Sequence, residues 1–375
     1  MPEPFKNLIN AALVRACGQH LRRVWPGFDR RGFEARALDG LDALEMKARA
    51  MHIADALEDT LPGDFDRAAG IIEATLAPPA TDDRLDFGTS AAGLAGWIGW
   101  PLGEFIARRG QTEPERALQA LRELTQRFTS EFAVRPFLVN HFALTLRQLR
   151  RWSADPSPHV RRWTSEGSRP RLPWGLQVKS LVADPSPTLP LLAALQDDAS
   201  AYVRRSVANH LNDIARDHPG VVADWLQAHL PGASPERTAL LRHASRSLVK
   251  RGDRRVLEAW GLGQPLRGEA ALAISPRRAS VGDSLTLRAT LTGEGRSVQR
   301  LAVDLVVHFV KANGGTSAKV FKGWQLHLAA GETRVLEKSL SLRPITTRRY
   351  YPGRHRVELQ ANGRVVAEAA FTLVG

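Results

Sequence analysis

The segment "VRRWTSEGSRPRLPW", from Val160 to Trp174, gathers Arg161, Arg162, Arg169 and Arg171 around Glu166 and two tryptophans, Trp163 and Trp174. Guanidinium groups suit phosphate oxygens, because a planar fork of donors can meet two of them at once. An indole face holds a cation or a sugar as readily as it fills a core. A carboxylate among such groups stays ionised, since opposite charge nearby depresses its pKa, and it then suits stabilisation of a cation better than general-acid work. Trp163 and Glu166 stand about one helical turn apart, which would let both face one cleft. The same Glu166 could equally serve as an ion-pair partner of Arg162 or Arg169.

The pattern returns along the chain. "DPSPHVRRWTSEGSR" begins at Asp155 and "DASAYVRRSVANHLN" at Asp198, so Asp, Ser, Val and the Arg pair recur at an offset of 43 residues. That period suits HEAT-like helix pairs, in which each Asp precedes a helix at capping distance. "SEFAVRPFLVNHF", from Ser130, reads as a third and imperfect copy, with Val134 and Arg135 standing for the Val-Arg step. Stacked pairs curve, and equivalent positions then line one concave face, which would make neighbours of Glu131, Arg135, Arg161, Arg162, Arg204 and Arg205. Such a stripe can follow a duplex, although a helix-terminal Arg pair is also an ordinary solvated or salt-bridged surface. The Pro-rich loop "EGSRPRLPWGLQVK" adds Arg169, Arg171 and Lys179. Trp25, Trp97, Trp225 and Trp260 sit in apolar helical patterns and read as core.

These residues need elements to carry them. From about residue 10 to 260, apolar residues recur at helical spacing in blocks such as "LEMKARAMHIADAL" and "ERALQALRELTQRF". After "GLGQPLRGEA" the chain switches to short alternating runs, "SLTLRATL", "LAVDLVVHFV" and "HRVELQA" among them, which predict six or seven strands of an immunoglobulin-like sandwich. The expected organisation is mostly α: a HEAT-like helical solenoid over 1–265, followed by a β-sandwich over 271–375. The 375-residue chain has a formal net charge of +13, and residues 271–375 hold 16 Lys and Arg against 7 Asp and Glu, a net of +9. A field of that sign favours a polyanionic partner, nucleic acid or an acidic membrane surface.

Other chemistries find no support. Cys17 is the single cysteine, so neither an internal disulfide nor a cysteine-rich zinc site is expected, and no His-Glu-x-x-His, Walker motif, Gly-x-Ser-x-Gly elbow or Asp-rich cluster is present. No metal or cofactor is expected. Apolar runs fall short of the ~20 residues of a membrane helix, and "MPEPFKNLIN" lacks the basic and apolar regions of a signal peptide, so a cytoplasmic protein is expected.

At "HVRRWTSEGSRPRLPW", "DASAYVRRSVANHLNDIARDHP" and "FTSEFAVRPFL", the chain resembles the HEAT-like-repeat DNA alkylation repair proteins, and within them the AlkC branch, related to AlkD. The C-terminal "TTRRYYPGRHRVELQANGR" resembles the immunoglobulin-like domain of that branch. The resemblance implies a DNA glycosylase, a monomer needing no cofactor, that excises 3-methyladenine and 3-methylcytosine from duplex DNA without flipping the base. It implies catalytic roles for Trp163, Glu166 and Glu131. DNA contacts then fall to Arg135, Arg161, Arg162, Arg169, Arg171, Trp174, Lys179, Arg204, Arg205 and Asn209, with Arg348, Arg349 and Arg354 on the sandwich. A non-catalytic solenoid scaffold for DNA or an acidic protein, and a membrane-surface adaptor, are the competing readings of the same composition.

Overall fold

Asp155 and Asp198 show how the repeat is built. Each accepts a hydrogen bond from the backbone N–H two residues on, Ser157 and Ser200, at 2.9 Å. The caps themselves are the serines: Ser157 precedes the Pro158–Gly167 helix, and Ser200 precedes Ala201–Asp217, accepting from the N–H groups of Tyr202 and Val203. The aspartates therefore stand two places before the helix and shape the turn that enters it. Pro158 at the first helical position has no N–H to leave unsatisfied.

Oδ2 of each aspartate, joined in Asp198 by Oδ1, reaches back to the preceding layer. Arg122 pairs with Asp155 at 2.5 and 2.8 Å, and Arg161 pairs with Asp198 at 2.6 and 3.0 Å. Arg161 also donates to the carbonyls of Asp155 and Pro156, and Arg204 repeats that local half on Asp198 and Ala199. The next rung would need an acid near Leu241, and Leu241 is buried core. The ladder ends there.

The computed structural model describes residues 4–84, 88–346 and 348–374. By its contacts the chain forms two compact units: one takes in the chain up to His218 with Ala233–Ala244, the other Pro219–Gly232 with Ser245 onward. The first is helical, its core running from Leu21 and Phe33 through Leu118 and Leu121 to Val203 and Leu211.

Among its described residues the second unit holds eight strands: β1 (Gly268–Ser275), β2 (Arg278–Ala279), β3 (Ser284–Gly293), β4 (Gln299–Val310), β5 (Thr316–Leu328), β6 (Thr333–Ser341), β7 (Gly353–Ala361) and β8 (Arg364–Leu373). They form two sheets, β1-β3-β6 and β2-β8-β7-β4-β5. Alternation along β3 sends Leu285, Leu287, Ala289 and Leu291 inward against Val303, Leu305, Val307 and Phe309 of β4 and Val357 and Leu359 of β7. The expected fold class, helical repeats followed by an immunoglobulin-like sandwich, is the one observed.

The change from helix to strand comes at Gly268, but the helices Pro219–His229, Arg246–Arg251 and Arg254–Ala259 belong with the sandwich. Gly252, at φ 72°, lies so close to Gly363 that an added Cβ would stand 3.1 Å from its Cα. Asn362 donates to the carbonyl of Gln264 at 2.8 Å and accepts from the N–H of Ala302 at 2.8 Å. These contacts tie the segment after residue 245 to the β7–β8 turn, which a division drawn from hydrophobic period alone does not register.

Candidate active site

A cavity of about 510 Å³ opens in the helical unit. The Pro158–Gly167 helix and the loop after it supply its polar side. His159, Arg162, Glu166 and Arg169 follow at helical spacing and all line it. Arg162 pairs with Glu131 through Oε2, donates to Thr129 Oγ1 at 2.7 Å, and lies 3.8 Å from Glu166 Oε1. Its guanidinium carbon stands 5.2 Å from the centre of the Tyr202 ring.

The two carboxylates are held differently. Glu166 uses both oxygens: Arg169 donates to Oε1 at 2.5 Å and Ser206 Oγ to Oε2 at 2.7 Å. Burial pushes the Glu166 carboxyl up, but Arg162 and Arg169, with the Ser206 hydroxyl, outweigh it and hold the group below its ordinary value. Arg169 is anchored by Asp213 at 2.9 and 3.0 Å. Glu131 takes Arg162 and the Thr129 hydroxyl on Oε2 alone, so among the described residues Oε1 meets no donor, and it belongs to a side chain that lines the cavity. Behind Glu166, His210 donates from Nδ1 to the Ser165 carbonyl at 2.9 Å; complete burial drags its pKa down to about 3, so it is neutral there.

Trp174 forms the rim. It is 68% exposed, and its φ of 64° places it in the left-handed region. It follows Pro173 in a turn closed by the Gly175 N–H donating to Leu172 O at 3.1 Å, the slot where such turns ordinarily carry glycine. Holding a tryptophan there costs about 1–3 kcal/mol.

Three expected assignments are corrected. Trp163 is fully buried and stacks on Trp152 with centroids 5.5 Å apart. Its helix presents Val160, Trp163 and Gly167 to the core and the 159-162-166 stripe to the cavity, so the indole and the Glu166 carboxylate diverge and Trp163 can touch no substrate. Arg135 is also fully buried. It donates to the carbonyls of Gly167 and Arg169 at 2.8 Å, Pro170 at 3.3 Å and Leu176, bracing the loop from beneath, and is unavailable to phosphate. Burial, then repulsion from Arg169, lowers its pKa to about 10 against the pull of Asp213, Glu131 and Glu166. Arg161 is spent on the Asp198 rung rather than on the concave face.

That last correction carries its own test. A double-mutant cycle on Arg161→Ala and Asp198→Asn should return a coupling of about 1–3 kcal/mol in unfolding free energy. The salt dependence of DNA affinity should stay as in the parent, because no phosphate contact is lost. A salt slope shallower by about 1 in Arg161→Ala would restore the phosphate role.

The remaining candidates are dispersed. Arg171 is bound by Asp217 at 2.6 and 3.0 Å and by Gln177. Lys179 is exposed at the start of a short helix, away from the cavity lining. Arg204 and Arg205 border a second hollow of about 480 Å³ with Glu236 and His243, and Asn209 meets the His243 ring at 2.9 Å. In the other unit, Arg348 lies over the Phe309 ring at 4.1 Å and Arg349 over Tyr351 at 5.6 Å, around a hollow that also takes Lys311 and Lys319, and Arg354 is exposed.

Several lining residues were not singled out from the sequence. Tyr202 stands at the 43-residue offset from His159, the two rings 5.7 Å apart, so the repeat itself pointed to it. Trp97, read as core, is half-buried in the cavity wall with Phe5, Phe128, Phe132 and Trp100. Among the described residues no group of His, Cys, Asp and Glu could hold a metal ion, and no helix is long and apolar enough to cross a membrane.

Comparison with known proteins agrees with this architecture. A family model described as "Uncharacterised protein YhaZ, C-terminal Ig-like domain" matches residues 269–375. Over 366 residues, 96% of each chain, the sequence is 34% identical to the "Uncharacterized protein YhaZ" of Bacillus subtilis (strain 168). The Pseudomonas fluorescens alkylpurine DNA glycosylase AlkC, solved bound to DNA containing an abasic site analog, superposes with a TM-score of 0.89 at 33% identity, covering 100% of both chains. With a relative this similar over its whole length, helical array and sandwich together, the chain belongs to the AlkC family of HEAT-like-repeat proteins.

Proposed function

We propose that this protein is a DNA glycosylase that excises positively charged N-alkylated bases, 3-methyladenine and 3-methylcytosine, from duplex DNA without flipping them into a closed pocket. The observation that carries the reading is Glu131, a carboxylate that pairs with Arg162 through one oxygen and, among the described residues, leaves the other unbonded in an open, aromatic-lined cavity. A solenoid scaffold has no use for that arrangement. The DNA held by AlkC supports a DNA partner here.

The chemistry needs little more. Alkylation at N3 puts positive charge on the base, so the C1′–N bond breaks with its electron pair going to the ring and no acid need protonate it. The sugar left behind is oxocarbenium-like, and a fixed carboxylate is worth most as that charge develops. Glu131 Oε1 would face the sugar and receive the proton of the water that attacks C1′. Glu166, saturated by Arg169 and Ser206, would instead hold Arg162 and Arg169 at the cavity wall. Arg204, Arg205 and the sandwich's Arg348, Arg349 and Arg354 would take phosphates.

Incubating the full-length protein with duplex DNA treated with a methylating agent should release 3-methyladenine, measured chromatographically against a protein-free control. Release no faster than the control overturns the reading. A second result concerns Trp174, whose exposure and left-handed backbone suit a side chain kept for contact with DNA. Trp174→Gly should melt at the same or a higher temperature, relieving about 1 kcal/mol, yet bind duplex DNA with an abasic-site analogue about tenfold more weakly. Earlier melting would make Trp174 a structural residue.

A further inference from the structure

The proposed reaction uses the polar side of the cavity and leaves its other wall without a role. There the Trp97 and Phe128 rings lie 5.2 Å apart, and Phe5 meets Trp97 edge-on at 5.0 Å. Three distant stretches supply them: Phe5 the turn Phe5–Leu8, Trp97 the turn Gly96–Ile98, and Phe128 the segment after the Pro114–Thr125 helix. Phe5 is 55% exposed, and Trp97 and Phe128 are only half-buried. A protein does not gain by presenting aromatic faces to water in one concavity, so such a wall marks a binding surface. Glu131 stands three residues beyond Phe128 and lines the same cavity, which puts the unbonded carboxylate oxygen and the ring faces around one space.

We propose that Phe5, Trp97 and Phe128 form a stacking subsite for an electron-poor planar ring, the alkylated base as it parts from its sugar. This rests on the glycosylase reading and adds where the leaving group goes. An aromatic face carries negative potential, so it attracts a cationic heterocycle more than a neutral one of the same shape. Discrimination between an alkylated and an ordinary base then arises at the wall, while Glu131 answers to the sugar. A cavity of about 510 Å³ has room for a ring beside a deoxyribose.

The test uses the full-length protein and two small probes, 3,9-dimethyladeninium, a permanently charged ring with methyl in place of the sugar, and neutral 9-methyladenine, each titrated by calorimetry. The cation should bind at least about fivefold more tightly than the neutral ring. Trp97→Leu should weaken its binding about tenfold, and so should Phe5→Ala, whose exposed ring can be removed without disturbing the melting curve. Equal binding of the two rings, no binding of either, or unchanged binding in both variants overturns the subsite. Selective binding of the cation by a protein that releases no base from methylated duplex would refute the glycosylase reading and leave the subsite standing. Base release without ring binding would do the reverse.

Discussion

Glu131→Gln should lower single-turnover release of 3-methyladenine from methylated duplex by about 100-fold or more, a loss of about 3–4 kcal/mol of transition-state stabilisation. The substitution keeps the shape and the Thr129 contact but removes the charge opposite the developing sugar cation. Duplex affinity should change little, because phosphate contacts supply most of it and Glu131 makes none. Glu166→Gln should behave differently. Its two oxygens hold Arg169 and Ser206 in a buried setting, so the variant should melt earlier and lose activity along with order. If Glu131→Gln excises normally and Glu166→Gln alone fails without melting early, the two carboxylates have been assigned the wrong way round.

Part of this site was legible before any fold was known. The 43-residue recurrence of Asp, Ser, Val and Arg pair marked the helical repeat, and the acid among arginines at Glu166 marked the cavity wall. What was lost was rotational phase. Trp163 and Glu166 are one turn apart, but their side chains leave the helix in directions that differ by about 60°, and only the stacking of Trp152 from the preceding helix decides which of them faces the core. Arg161 and Arg135 failed for a related reason. An arginine in a sequence shows its charge and conceals its partner. The partner of Arg161 lies 37 residues on at Asp198, and those of Arg135 are carbonyls that become available only when the loop after the Pro158–Gly167 helix folds back. The aromatic wall was illegible because Phe5, Trp97 and Phe128 meet only in three dimensions, each in a stretch that reads as ordinary apolar helix or turn.

Arg135→Met should therefore be the most destabilising single change among the arginines of the repeats. The side chain is fully buried, with hydrogen bonds to the carbonyls of Gly167, Arg169, Pro170 and Leu176. Methionine fills much of the volume and takes the arginine's donors from the carbonyls of Gly167, Arg169 and Leu176, while Pro170 keeps the Val178 N–H, in a setting where each unsatisfied buried group costs about 1–3 kcal/mol. Some carbonyls will recover water as the loop loosens, so a net loss of about 3–5 kcal/mol is expected, and a fall in melting temperature on the order of 10 °C for a unit of this size. Arg135→Lys should restore little of it, since one ammonium cannot span acceptors arranged around a planar fork. The same loop carries Arg169 and the exposed Trp174, so base release should fall with the loss of order even though Arg135 touches no substrate. Calorimetric unfolding beside a salt titration of DNA binding separates the two roles. Early melting with an unchanged salt slope in the folded fraction confirms the brace. A normal melting curve with a shallower slope would return Arg135 to the phosphate-binding surface.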